Sequence, residues 1–192
     1  MGNKILIIDS DKATRAAVLN SIKQGNVQFV EHEHKDAAIE ALTKQASDFA
    51  VIVTDSFSQD LIYIQNLLKF SIPTILLFKT EDQDVLVPAL KLGIMDFIEK
   101  PLILEPSTEQ KSDQIFSAIG GAFHFAQNLI NIHKQIETEV KDSDLPDDEK
   151  TMYSEAKKCI LILNYKNKFF EKQVGFAAWN LIQIPTLWTY KM

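Results

Sequence analysis

The chain has one cysteine, Cys159, among 192 residues. An internal disulfide is therefore impossible, and the fold is expected to stand on packing alone, with no need of an oxidising compartment. Arginine is as scarce: of the 20 basic residues only Arg15 is one. The rest are lysines, point charges rather than the planar forks that read guanine or clamp phosphate bidentately. Basic charge is also outnumbered, 20 against 26 acidic residues for a net charge of −6, which disfavours non-specific nucleic-acid binding. Six glycines and six prolines exclude collagen-like and low-complexity architectures. No apolar run approaches the roughly 18 residues of a membrane span, and Ile5-Leu6-Ile7-Ile8 near the start is too short for a signal peptide. A cytoplasmic protein with no membrane partner is the expectation.

What is present is globular. A hydrophobic fraction of 46% with 24% charged residues suits one domain with an appendage, or two small ones, at roughly 100–200 residues per domain. The first hundred residues alternate between two periods. Ile5–Ile8, Val27–Glu31, Phe49–Val53, Pro73–Phe78 and Phe97–Ile98 read as strands, several of them continuous aliphatic runs that need cover on both faces. Between them lie helical spacings over Lys12–Gln24, from an Asp36 cap through Leu42, over Leu61–Phe70, and over Val85–Leu92 with a stop at Gly93. This alternation predicts an α/β fold, a doubly wound five-stranded parallel sheet with helices on both faces. In such sheets the functional site lies at the carboxyl ends of the strands, where strand order reverses.

After Pro101 the pattern turns helical. Apolar positions at Ile115, Ile119, Ala122, Ala126, Leu129, Ile136 and Val140, with His133 among them, step by four and three like a heptad seam. Gly120-Gly121 falls inside it and predicts either a kink or a close backbone approach. Seven carboxylates lie between Glu137 and Glu149, which suggests a solvated turn. A second amphipathic helix is expected over Met152–Val174, followed by an apolar tail carrying Trp179, Trp188 and Tyr190. The predicted organisation is a domain over 1–117 and a helical output or dimerisation module over 118–192, with an acidic turn around 141–149. Ile115, Ile119, Leu129 and Ile136 would form a homodimer seam.

Three features fall at strand ends. Asp9 and Asp11 follow the first strand, Asp55 the third, and Lys100-Pro101 the fifth. Carboxylates beside one lysine suit a hard divalent cation and a phosphoryl group, with one aspartate able to act as nucleophile. The same Asp9 and Asp11 would also suit the N-cap of the first helix. Glu31-His32-Glu33-His34 puts two histidines on one strand face, but without a third ligand it reads as a polar edge strand. His133 reads as a polar interruption of the seam, and Cys159 as a small buried hydrophobe.

With these residues in view, the chain over about 3–117 resembles the receiver domain of bacterial response regulators, a flavodoxin-like fold. The resemblance is carried by Ile7-Ile8-Asp9-Ser10-Asp11, Val51-Ile52-Val53-Thr54-Asp55, Pro73-Thr74-Ile75-Leu76-Leu77, Gly93 and Phe97-Ile98-Glu99-Lys100-Pro101. It implies that Asp55 accepts a phosphoryl group from a sensor histidine kinase or phosphotransfer protein. It further implies that Asp9, Asp11, Asp55 and the Phe57 carbonyl hold a weakly bound Mg²⁺, that Lys100 pairs with the phosphoryl group, and that the Lys100–Pro101 peptide is cis. Phe78 and Phe97 occupy the family's switch positions.

The departures are specific. Ser10 stands where the family has a second acid, with Asp11 as its substitute. Phe78 replaces the hydroxyl that ends strand four, so Phe78 and Phe97 are expected to pack together and to uncouple phosphorylation from switching. With no basic recognition helix, output is expected through a downstream protein partner rather than DNA, and without enzymatic turnover. Two other readings stand beside this one. The first is a phosphorylation-independent scaffold of the same fold. The second is a phosphatase, since Asp9-Ser10-Asp11 is also similar to the Asp-x-Asp loop of the haloacid-dehalogenase phosphatases.

Overall fold

Strand-forming aliphatic runs end at polar or acidic residues in this chain, and each end turns into a helix. The computed structural model describes residues 4–22, 27–102, 109–143, 146 and 149–157. Five strands, β1 (Lys4–Ile8), β2 (Gln28–His32), β3 (Phe49–Asp55), β4 (Thr74–Phe78) and β5 (Asp96–Glu99), form one parallel sheet in the order β2-β1-β3-β4-β5. Helices α1 (Lys12–Ser21), α2 (Lys35–Gln45), α3 (Leu61–Leu68) and α4 (Leu86–Leu92) connect them, and α5 (Glu109–Lys141) follows the sheet. This is the doubly wound parallel sheet predicted from the alternation, in the flavodoxin-like form that the resemblance implies. Its strand order reverses between β1 and β3, which places the crevice at the carboxyl ends of those strands.

The central strands are buried along nearly their whole length: Ile5–Ile8, Phe49–Val53 and Ile75–Leu77 are almost inaccessible. Leu6, Ile8, Ile52 and Leu76 pack with Leu42 of α2, Ile64 and Leu67 of α3 and Ala89 of α4 in one core cluster. Such burial supplies the main driving force for the fold, at about 1.5–3 kcal/mol per large aliphatic side chain. Gly93 closes α4 at φ 110°, a left-handed conformation open to glycine, and its amide bonds Ala89 and Leu90 carbonyls.

Local boundaries differ from the sequence reading in ways with physical causes. Asp36 lies inside the first turn of α2, where a carboxylate favours the helix dipole, and His34 occupies the N-cap position without a side-chain bond. A 3-10 turn, Thr80–Val85, precedes α4. Helix α5 runs unbroken through Gly120-Gly121. A Cβ built on Gly120 would meet nothing within 4 Å, so no close approach requires that glycine.

By internal contacts the chain divides into two units, 1–127 and 128–192, so the division falls within α5. In the first unit Ile115, Ile119, Ala122 and Ala126 are buried by the chain itself, while Phe116 is 52% exposed. In the second unit Ile136 is buried, Leu129 half-buried, and residues 149–157 are helical, with Lys157 ion-paired to Glu139. Of the residues expected in a dimer seam, Ile115, Ile119 and Ile136 are therefore covered within the chain itself, and Leu129 keeps part of its surface accessible. The remainder of the predicted second helix, Cys159, and Trp179, Trp188 and Tyr190 lie outside the described residues, as do four positions of the acidic turn. No helix among the described residues is long and apolar enough to cross a membrane.

Candidate functional site

The crevice brings together residues from three strand ends. Asp9, one residue past β1, is wholly buried. Its amide donates to the His32 carbonyl at 3.1 Å, extending the ladder with β2. Its carboxylate accepts from the Asp11 amide at 2.8 Å and from Lys100 Nζ at 2.8 Å. Asp55 ends β3. Its Oδ1 lies 2.5 Å from Lys100 Nζ, and its Oδ2 accepts from the Phe57 amide at 3.2 Å. Lys100 follows β5, and its amide donates to the Phe78 carbonyl at 2.7 Å. The bond from Lys100 to Pro101 is cis. One ammonium, with its side chain only 9% exposed, thus bridges two carboxylates 46 residues apart in sequence.

The electrostatics follow from burial and pairing. Burial pushes the Asp9 carboxyl above its ordinary value against the opposing pull of its bonds to Lys100 and Asp11. Burial also works against the Lys100 ammonium, but hydrogen bonds to Asp55 and Asp9 outweigh it and raise its pKa. The trio carries one net negative charge in a poorly hydrated crevice, a setting for a cation or for a group whose charge Lys100 can share.

Arg15 supports this corner. Its Nη1 donates to the Asp9 carbonyl at 2.7 Å, and Nε and Nη2 pair with Glu31 and Glu33 at 3.0 Å each. The chain's one arginine therefore uses its fork to tie the end of β1 to the end of β2. The scarcity of arginine was the available signal for such a role. Ser56, Asp82, Thr54 and Tyr63 were also missed. The Ser56 hydroxyl donates to Asp82 at 2.9 Å, and Thr54 and Tyr63 hydroxyls lie 2.9 Å apart in the interior. Burial pushes the Tyr63 phenol well above its ordinary value.

Asp11 is placed otherwise than expected. Its carboxylate caps α1, accepting from the Ala13 amide at 2.9 Å, the Thr14 amide at 3.3 Å and the Thr14 hydroxyl at 2.8 Å. Bonds to Thr14 and Ala13 hold its carboxyl below the ordinary range. Among the described residues no three His, Cys, Asp or Glu side chains gather as a metal cluster. Asp11, expected in the metal pocket, is thus engaged as the α1 cap, since a helix start offers orphan amides that a neighbouring carboxylate satisfies. Ser10 is exposed. Asp9 and Asp55 still fit Mg²⁺, which is commonly held by one or two protein carboxylates with water and phosphate oxygens. His32 ends the edge strand β2, and its buried Nε2 has no hydrogen-bond partner, whereas His34 lies beyond the strand at the start of α2.

The loop after Asp55 is unusual: Phe57, Ser58 and Gln59 all have positive φ, at 46°, 59° and 68°. Three consecutive non-glycine residues in that region carry backbone strain. The loop is closed by Asp60, which caps α3 at the Tyr63 amide (2.9 Å) and pairs with Lys35. The Phe57 ring meets Tyr63 edge-on at 5.2 Å. Phe78 is buried at the end of β4 and Phe97 is half-buried against the core cluster. Among the described residues the aromatic ring pair is Phe57–Tyr63.

No protein-family model matches the chain, and no curated protein matches it in sequence. Solved structures do match it in fold. A response regulator receiver domain protein from Clostridium thermocellum superposes with TM-score 0.55 at 18% identity, over 67% of this chain and 99% of that one. NtrX from Brucella abortus gives 0.58 at 18%, over 70% of this chain and 29% of that one. The response regulator domain of CheB from Thermotoga maritima gives 0.52 at 19%, over 65% and 98%. The sheet order, the helices around it and these likenesses together establish that the chain carries the receiver fold.

Proposed function

We propose that the chain is a two-component signalling protein that accepts a phosphoryl group on Asp55 and works without catalytic turnover of its own. The observation that carries this reading is the Lys100 ammonium held between Asp9 and Asp55 at the point where strand order reverses. An Asp55 carboxylate oxygen attacks the phosphorus of a phosphohistidine on a partner kinase or phosphotransfer protein. The P–O bond forms as the P–N bond breaks, and the leaving imidazole takes up a proton. Lys100 neutralises charge on the transferred oxygens, while Asp9 and the Phe57 amide hold the ammonium and the acceptor in place. Mg²⁺ bound by Asp9, Asp55 and the Phe57 carbonyl would spread the remaining phosphoryl charge.

Output is proposed to run by protein–protein contact through the helical C-terminal part, in the cytoplasm and without DNA. Homodimerisation would engage the half-buried Leu129, and light scattering on wild type and Leu129→Asp tests it. The phosphoacceptor reading is tested by intact mass after incubation with a small phosphodonor and Mg²⁺. One phosphate mass, removed by hydroxylamine and absent from Asp55→Asn, is the expected result. The buried Phe78 and exposed Ser10 favour the second reading, a scaffold that needs no phosphorylation, and wild type identical to Asp55→Asn would establish it.

A further inference from the structure

Asp55 and Lys100 form the candidate site, and the residue beside each of them in sequence holds the same short turn. Ser56, wholly buried, donates from Oγ to Asp82 Oδ2 at 2.9 Å. Thr80 donates from Oγ1 to Glu99 Oε1 at 2.6 Å. Thr80 and Asp82 both belong to the turn Thr80–Val85, which runs directly into α4. Asp82 is the residue of that turn with non-helical backbone, at φ −99° and ψ 15°, and its amide donates to the Lys79 carbonyl at 2.8 Å. The turn is thus pinned twice, once to the strand of Asp55 and once to the strand of Lys100. Phe78, which ends β4 just before the turn, has no hydroxyl with which to make a third pin.

We propose that Ser56 and Asp82 form a charge-sensitive clasp through which the state of Asp55 controls the turn Thr80–Val85 and the start of α4. The inference rests on the phosphoacceptor reading of Asp55 and names the regulation of that site. A phosphoryl group on Asp55 adds about one further negative charge and three strong acceptor oxygens next to Ser56. The new charge repels the Asp82 carboxylate. That repulsion weakens the clasp in the modified state alone, which is the differential interaction that a two-state change requires. The Thr80–Glu99 pin is exposed and serves as the pivot. A hydroxyl on residue 56 thereby supplies the coupling that the Phe78 ring cannot.

Hydrogen exchange on the full chain, read at the amides of 80–86 with and without beryllofluoride and Mg²⁺, tests this. Wild type should exchange about tenfold faster there once beryllofluoride binds, the effect of losing one hydrogen bond to a charged acceptor. Ser56→Ala should show that acceleration without the probe and little more with it. Asp82→Asn, which keeps an acceptor but no charge, should stay protected in both conditions. Equal probe responses in wild type and Asp82→Asn, or unchanged exchange in Ser56→Ala, overturn the clasp. A wild type that binds no beryllofluoride by fluorine NMR fails the phosphoacceptor reading instead. The charge coupling is then decided by Asp55→Asn, which should slow exchange at the Asp82 amide and overturns the clasp if it does not.

Discussion

Replacing Lys100 by methionine isolates the central interaction of the site. The substitution keeps the length and apolar stem of the side chain and removes the ammonium that lies 2.8 Å from Asp9 Oδ2 and 2.5 Å from Asp55 Oδ1. Asp9, with none of its surface exposed, is left as a buried carboxylate holding one side-chain bond, from the Asp11 amide. Removing one partner of a buried pair costs about 3–5 kcal/mol. The lower end applies here, because Asp55 is 14% exposed and can recover water while Asp9 keeps its amide donor. Urea denaturation at pH 7 should therefore show a loss of about 3 kcal/mol at unchanged m-value. The loss should shrink on acidification. Burial already raises the Asp9 pKa, and without Lys100 it rises further. A group whose folded pKa is raised favours folding below its unfolded pKa, and that contribution is lost as pH climbs through the folded value. Between pH 7 and pH 4 the variant should thus gain on wild type, and Asp9→Asn in the Lys100→Met background should recover much of the loss at pH 7. A Lys100→Met protein within about 0.5 kcal/mol of wild type at pH 7, or one that falls further behind in acid, would refute the buried-trio account.

Two further perturbations probe neighbouring features. Asp11→Ala should cost about 1 kcal/mol through loss of the α1 cap while leaving Mg²⁺ affinity by calorimetry unchanged. The depressed Asp11 carboxyl makes this contribution present above its unfolded pKa and lost as pH falls through the folded value, and a large drop in Mg²⁺ affinity would return Asp11 to the metal pocket. Gly120→Ala should stabilise the protein by about 0.5–1 kcal/mol in thermal or urea unfolding, since nothing lies within 4 Å of the added methyl; a destabilisation would mean that the helix needs a glycine there.

How far the chain could be read depended on the distance over which each interaction acts. Strand and helix periods are local, and five strand-like runs separated by helical spacings led to the sheet, down to Asp55 and Lys100 at its strand ends. Caps proved harder. Asp11 suited both a metal pocket and a helix start in sequence, and the geometry of α1, with two amides and a hydroxyl within 3.3 Å of its carboxylate, shows it at the helix start. Asp36 misled similarly, because a carboxylate in the first turn of a helix and one at its cap look alike in sequence.

By itself the amino-acid sequence determined the alternation of strands and helices, the burial of the central strands, the stop at Gly93 and the set of acids and lysine at strand ends. All of these follow from side-chain period and backbone preference within a few residues. Only the tertiary structure decided which strand end faces which. It set Lys100 between Asp9 and Asp55, turned the sole arginine onto the Asp9 carbonyl, and joined Ser56 to Asp82 across 26 positions. It also covered Ile115 and Ile119 within the chain itself. A heptad-like stripe records only that a helix face must be buried, since the hydrophobic effect is proportional to area and indifferent to which surface provides the cover.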